Sequence, residues 1–213
     1  MYGKFDPGTY WLQFDMTSIR IEGESFLHRK LWCVVERQIE HATSNYQGSF
    51  YDELVAMVFA LHTLEAYLNF AGERLAPEVW KNEREYFRKE PYRGFQGKLK
   101  KVMEIAELPA QDETARPYST INKLKKLRDL IAHAKTEKIG PIDFPEEAIS
   151  MFPATTLDNL VLPGSAMTAK EDIEQFIELL HEHARKKTND VWFKGKALKG
   201  VHQYNVKHTR NPF

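Results

Sequence analysis

Apolar side chains recur every three or four residues in five segments of the chain, the pattern of helices that bury one face. These segments are residues 24–44, 50–76, about 95–107, 119–134 and 168–187. The segment 50–76 is apolar on nearly all sides, which is typical of a helix at the centre of a bundle or at a subunit interface. Short apolar–polar alternations within 11–22 predict one or two strands. The pattern therefore predicts a mainly α fold, an up-and-down bundle of about five helices with a short N-terminal β element.

The ends of the last two helices carry recognisable signals. Ser119 or Thr120 is expected to cap the fourth helix, and Thr168 with Glu171 fits a capping box before the fifth. Residues 139–167 hold four prolines and two glycines, so they predict a long loop before the last helix. We expect residues 1–187 to form the helical domain, with short strands inside 1–22, and residues 188–213 to form a basic, aromatic C-terminal arm.

Charge is balanced overall but uneven along the chain. The sequence holds 30 basic and 30 acidic residues, yet residues 185–213 hold eight basic residues and one acidic residue, which leaves a charge of −7 on the remainder. This asymmetry predicts an anionic partner. Cations interleaved with aromatic rings suit single-stranded nucleic acid, so Lys194, Lys196 and Lys199 are candidate RNA contacts. The alternative is an arm that docks on its own acidic body.

Composition narrows the compartment and the chemistry. The single cysteine, Cys33, excludes an internal disulfide, and its apolar surroundings predict a buried, inert thiol. The N-terminus lacks the apolar core of a signal peptide, and the apolar run 54–61 is far shorter than the roughly 20 residues that span a bilayer. We therefore expect a cytoplasmic protein without membrane contact. The histidine spacings and the absence of nucleotide-binding motifs predict no metal and no cofactor.

The basic segment 116–138 contains the residues best suited to chemistry, in the run Leu127-Arg-Asp-Leu-Ile-Ala-His133. Asp129 and His133 are four apart, so on a helix they share a face and can form a hydrogen bond. Arg128 lies about 140° around the helix axis from His133. The arginine and the histidine therefore converge only if the arginine side chain curls round or a second copy of the helix packs alongside.

Arginine, aspartate and histidine together form a minimal set for RNA cleavage without a metal. His133 would take the proton of a 2′-hydroxyl or protonate the leaving oxygen, and its place in the last helical turn favours the imidazolium. Arg128 would neutralise the pentacoordinate phosphorane, and Asp129 would orient the imidazole. The same segment supplies three candidate phosphate contacts, Lys125, Lys126 and Lys135.

The run from Leu127 to Lys135 resembles the Arg-x4–6-His signature of the HEPN superfamily, with Asp129 in the position after the arginine, where the family commonly has a polar residue. The segment 59–70 is similar to the family's long central helix, and 170–187 is similar to its closing helix. The resemblance covers about residues 24–187.

Two polar residues on the central segment, Glu65 and Asn69, are accessory candidates. They belong to a stripe that His62 and Glu73 extend at spacings of three or four residues on an otherwise apolar helix. Because buried polar groups must be paired, this stripe either faces the Arg128 region or forms a solvent-exposed edge.

The HEPN resemblance implies a helical bundle that dimerises through the signature helices, with Arg128 and His133 as catalytic positions and Asp129 as the matching polar position. It implies a metal-independent endoribonuclease acting on RNA as a toxin or phage-defence effector, with an antitoxin or nucleotidyltransferase as partner. Many HEPN proteins do not cleave RNA, so the alternative is a non-catalytic RNA-binding, protein-binding or scaffold module. A plain structural helix, in which Asp129 and His133 simply pair, is a third alternative.

Overall fold

A computed structural model describes residues 19–45, 47–110, 112–133, 135–141, 153–200 and 202–208. The chain divides into two compact units, Phe26–Val201 and a smaller one that combines Met1–Ser25 with His202–Phe213. In the smaller unit, strands β1 (Ile19–Ser25) and β2 (His202–His208) pair antiparallel, with Ile19 opposite His208. The predicted strands within 1–18 lie outside the described residues.

The larger unit contains eight helices among the described residues. They are α1 (Leu27–Ser44), α2 (Ser49–Leu75), α3 (Pro77–Lys81), α4 (Glu83–Tyr86), α5 (Gly94–Ile105), α6 (Tyr118–Ala132), α7 (Thr156–Leu160) and α8 (Ser165–Lys187). Five of them are long, and they coincide with the five amphipathic segments. The prediction of a mainly helical bundle with a short N-terminal β element is confirmed.

Helix α2 forms the centre of the bundle. Leu61, Leu64 and Leu68 have no exposed surface, and both α1 and α8 pack against this helix. The apolar run 54–61 is only part of α2, which has 27 residues. By length and composition α2 is the one helix of the described residues that could cross a membrane; 56% of its apolar window is buried inside the bundle.

Helix α1 shows how an apolar neighbourhood can mislead. Trp32 and Val35 are buried, whereas Cys33 is exposed, so the predicted buried thiol is wrong. The 100° step between consecutive helical residues turns Cys33 away from the face that its neighbours bury.

Helix α8 begins three residues earlier than predicted, at Ser165, so Thr168 lies inside the helix and donates to the carbonyl of Gly164. The cap comes instead from Glu53 of α2, whose carboxylate accepts from the backbone N–H groups of Gly164 (2.8 Å) and Ala166 (2.6 Å). A carboxylate at a helix N-terminus satisfies open donors and complements the helix dipole. This contact joins α2 to α8.

Helix α6 is held against α8 through a buried carboxylate. Asp172 is 1% exposed, and both of its oxygens lie 2.9 Å from Nε of Arg116, while the Thr120 hydroxyl also donates to it. Thr120 is therefore used in a tertiary contact, and the predicted cap by Ser119 or Thr120 is wrong, since α6 starts after Pro117 without a side-chain cap. These contacts fix the helix that carries Arg128.

The predicted boundary at residue 187 does not separate two units, because residues 188–200 belong to the helical unit. Phe193 and Ala197 have no exposed surface. Arg29 of α1, only 8% exposed, donates to the carbonyls of Lys196 (3.1 Å), Ala197 (2.9 Å) and Gly200 (3.1 Å). This part of the arm docks on its own domain.

Two buried histidines complete this contact, which we call the arm latch: Arg29, His28 and His181 with the segment 195–200. His28 Nε2 lies 3.2 Å from the Ala197 carbonyl, and His181 Nε2 lies 3.0 Å from the Gly195 carbonyl. Each Nε2 can only donate to a carbonyl, so the neutral imidazoles carry their proton there. Burial lowers the pKa of His28 to about 3, and burial also lowers the pKa of His181.

Candidate active site on helix α6

Helix α6 turns one face to the core and ends at the surface. Ile121, Leu124 and Leu127 are at most 1% exposed, whereas Leu130 is half-buried and Ile131 is 44% exposed. Leu130 and Ile131 continue the apolar spacing of the helix, but the last turn of α6 lies at the surface. The polar residues of the signature, Arg128, Asp129 and His133, therefore lie at the boundary between the core and the solvent.

Arg128 lies between two carboxylates. Its Nη1 is 3.5 Å from Oε1 of Glu65 in α2, and its Nε is 2.9 Å from Oδ1 of Asp129. The polar stripe on α2 was expected either to face the Arg128 region or to form an exposed edge. At Glu65 the stripe faces α6. The guanidinium is turned toward α2, and 31% of the side chain remains exposed.

Asp129 does not form the expected hydrogen bond with the His133 imidazole among the described contacts. Its Oδ2 accepts from Lys125 Nζ at 2.7 Å, one turn earlier on α6. The hydrogen bond from Lys125, with the charges of Lys125, Arg128 and His133, lowers the pKa of Asp129 below its usual range. A long, fully charged side chain reaches this carboxylate more easily than an imidazole at the helix end.

His133 is the C-cap of α6 and is exposed to solvent. Its backbone N–H donates to the Asp129 carbonyl at 3.1 Å, but φ of −123° and ψ of 19° take it out of the helical conformation. The His133 side chain is exposed and lies close enough to Asp129 for its charge to act on that carboxylate. A phosphodiester can therefore reach the imidazole.

The neighbouring polar residues of α2 separate into two groups. His62 Nδ1 lies 3.2 Å from Oε2 of Glu65, so this histidine belongs to the site, although only its place in the stripe had pointed to it. Its spacing of three residues from Glu65 was the available signal. Asn69 instead accepts from Lys98 Nζ (3.0 Å) and Trp80 Nε1 (3.4 Å), and it does not contact Arg128. The accessory role predicted for Asn69 is therefore not supported by its position.

We call the assembled residues the Arg128 cluster: His62, Glu65, Lys125, Arg128, Asp129 and His133. The other predicted phosphate contacts are exposed and have no carboxylate within ion-pair distance in the described part of the chain. They are Lys126, Lys135, Lys194, Lys196 and Lys199. No group of three or more histidine, cysteine, aspartate or glutamate side chains in the described ranges could hold a metal ion.

Comparison with known proteins does not assign the chain to a family. No family model matches the sequence, and neither curated proteins nor solved structures gave a match. The function must therefore be argued from the Arg128 cluster itself.

Proposed function

We propose that this protein is a metal-independent endoribonuclease of the HEPN type in which His133 transfers the proton. The observation that carries the proposal is the exposed imidazole of His133 at the C-terminal end of α6, one helical turn beyond the Arg128–Asp129 ion pair. The cluster thus offers a titratable group, a cation for phosphate and an exposed approach.

The proposed reaction uses the RNA strand as its own nucleophile. The 2′-hydroxyl oxygen attacks the adjacent phosphorus while neutral His133 accepts its proton, and the imidazolium then donates that proton to the departing 5′-oxygen. The P–O bond to the 5′-oxygen breaks, leaving a 2′,3′-cyclic phosphate and a 5′-hydroxyl. The guanidinium of Arg128 stabilises the extra negative charge on the phosphorane.

The site is proposed to be completed in a homodimer through α6. Ile131 is 44% exposed and the neighbouring Ala132 is also exposed, which gives the end of the helix an apolar surface for a second copy. Because Arg128 of the same chain turns toward Glu65, a second protomer would bring an additional guanidinium near His133. On the HEPN resemblance, cleavage would serve as a cytoplasmic toxin or phage-defence activity restrained by an antitoxin or nucleotidyltransferase partner.

We expect His133→Ala and Arg128→Ala each to lower the rate of RNA cleavage about a hundredfold or more, the usual contribution of a proton-transfer group and of a group that stabilises transition-state charge, respectively. The rate is measured in excess chelator, so that contaminating metal-dependent nucleases are inactive. Arg37→Ala and His41→Ala serve as matched controls, because these two residues are exposed near the C-terminal end of α1. Equal rates in wild type and in both α6 variants would refute the proposal.

A non-catalytic RNA-binding or scaffold module is the second candidate. This candidate is favoured by the ion pairs of the cluster. Arg128 pairs with Glu65 and Asp129, and Lys125 pairs with Asp129, so two carboxylates neutralise the two cations. For this candidate, wild type binds RNA without cutting it, and His133→Ala weakens the dimer. Cleavage that depends on His133 would exclude it.

A further inference from the structure

Residues 81–101 form a second basic region, separate from α6 and from the arm. They hold eight basic residues and three acidic ones in a chain whose net charge is zero. Glu83 pairs with Lys98, and Glu85 lies 3.6 Å from Arg88. The other six cations have no carboxylate within ion-pair distance among the described residues; they are Lys81, Arg84, Lys89, Arg93, Lys100 and Lys101.

Two tyrosines stack within this region. The rings of Tyr86 and Tyr92 have centroids 5.5 Å apart and an interplanar angle of 24°, and both are half-buried. The ammonium of Lys101 lies 5.8 Å and 5.0 Å from the two centroids, and that of Lys100 lies 5.4 Å from Tyr92. We call these four residues the tyrosine stack. It places aromatic faces and cations side by side.

The position of the stack is fixed by contacts with α5. The Tyr92 hydroxyl donates to Glu104 at 2.7 Å. Gly97 lets the Tyr92 backbone approach the helix, since a Cβ at Gly97 would lie 1.7 Å from the Tyr92 carbonyl oxygen. The aromatic ring is therefore held in place before any ligand arrives, which reduces the ordering cost of binding.

A solvent-open cavity of about 530 Å³ adjoins the stack. It is lined by Lys100, a member of the stack, and by Glu104, which accepts the hydrogen bond from Tyr92. Leu99 and Met103 give it apolar walls, and Arg93 is its second cation. Its volume lies in the range of about 300–1,000 Å³ that is common for small-molecule sites. The carboxylates that also line it, those of Glu90, Glu104 and Glu113, repel phosphate but accept hydrogen bonds from the amino groups of a base.

We propose that the tyrosine stack and the adjoining cavity bind single-stranded RNA, with bases on the tyrosine rings and in the cavity and phosphates on the surrounding cations. Stacking of a base on an aromatic ring is stronger than an exposed cation–π contact, so a base displaces a lysine from its ring. The displaced ammonium can then form an ion pair with the adjacent phosphate. In a duplex the base faces are already stacked, so the surface selects single strands. The choice of RNA rests on the proposed function, whereas binding here does not require cleavage.

The test measures binding of a fluorescent single-stranded RNA by anisotropy, with every protein in a His133→Ala background so that the strand stays intact. We expect the Lys100→Ala/Lys101→Ala variant to bind about tenfold more weakly, and the slope of log K against log salt to fall by about 1.4, since each contact to a single strand contributes about 0.7. Tyr86→Leu, which removes a stacking face but keeps apolar bulk, should also weaken binding about tenfold. Circular dichroism verifies folding.

A Lys30→Ala/Arg37→Ala variant removes the same charge from the exposed surface of α1 and should bind like the parent. Unchanged affinity in both stack variants, an equal loss in the α1 control, or equal affinity for duplex RNA or for vesicles of anionic lipid would overturn the proposal. Failure of the two proposals is distinguishable. Binding that depends on the stack without any wild-type cleavage removes only the nuclease, and wild-type cleavage together with binding that the stack variants leave unchanged removes only this surface.

Discussion

Replacing Arg29 by alanine is expected to lower the free energy of unfolding by about 4 kcal/mol, because it removes a buried guanidinium that serves three backbone carbonyls. Those carbonyls belong to Lys196, Ala197 and Gly200, at 2.9–3.1 Å from its nitrogens. A hydrogen bond from a charged donor contributes about 1.5–3 kcal/mol, and the three share one side chain, so the total is less than their sum. The guanidinium of Arg29 also lies over the Phe26 ring, with its carbon 4.4 Å from the ring centroid.

Urea unfolding followed by circular dichroism measures this effect. Lys30→Ala, one residue further along α1 and exposed, is the matched control and should change the stability by no more than about 0.5 kcal/mol. Arg29→Lys should recover only part of the loss, since an ammonium cannot reproduce the fork of a guanidinium. A loss below about 1 kcal/mol in Arg29→Ala would show that the arm latch contributes little to stability.

Lowering the pH from 7 to 4.5 is expected to cost about 3 kcal/mol of stability through His28 alone. Its pKa is about 3 in the folded protein and 6.5 when unfolded, so between these values only the unfolded chain binds the proton. Stability therefore falls by about 1.4 kcal/mol for each pH unit below 6.5. The lowered pKa of His181 acts in the same direction, whereas the raised pKa of Glu178, also caused by burial, acts in the opposite one.

The measurement is a series of urea unfolding curves between pH 7 and 4.5 for wild type and His28→Gln. Glutamine keeps an N–H donor for the Ala197 carbonyl but has no group that titrates in this window. We expect the variant to lose most of the pH dependence between 6.5 and 4.5. An unchanged slope in the variant would mean that the imidazole of His28 is not kept neutral by burial.

Much of the bundle could be predicted from the sequence because its core obeys helical periodicity. Leu61, Leu64 and Leu68, like Ile121, Leu124 and Leu127, recur at the spacing of a buried face, and all six are buried. What failed depends on contacts distant in sequence. The cap of α8 comes from Glu53, more than a hundred residues away, and the arm is docked by Arg29 across 167–171 residues. No local pattern contains such partners.

The site was predictable to the same extent. The proximity of Glu65 to Arg128 is one of the two alternatives that the polar stripe on an apolar helix predicts, because buried polar groups must be paired. The pairing of Asp129 with Lys125 could not be predicted, because Lys125 and His133 each lie four residues from Asp129 and compete for its carboxylate. Spacing identifies the competitors but does not choose between them.

Product analysis of a cleaved RNA oligonucleotide tests the role of His133 most directly. Wild type and His133→Ala are incubated in chelator with the oligonucleotide and with a copy carrying a 2′-deoxy sugar at the cleavage position, and the ends are read by mass spectrometry. We expect wild type to give a 2′,3′-cyclic phosphate and a 5′-hydroxyl, with no cut at the deoxy position and little cleavage by His133→Ala. Ends carrying a 3′-hydroxyl and a 5′-phosphate, or undiminished cleavage by His133→Ala, would contradict the proposed chemistry.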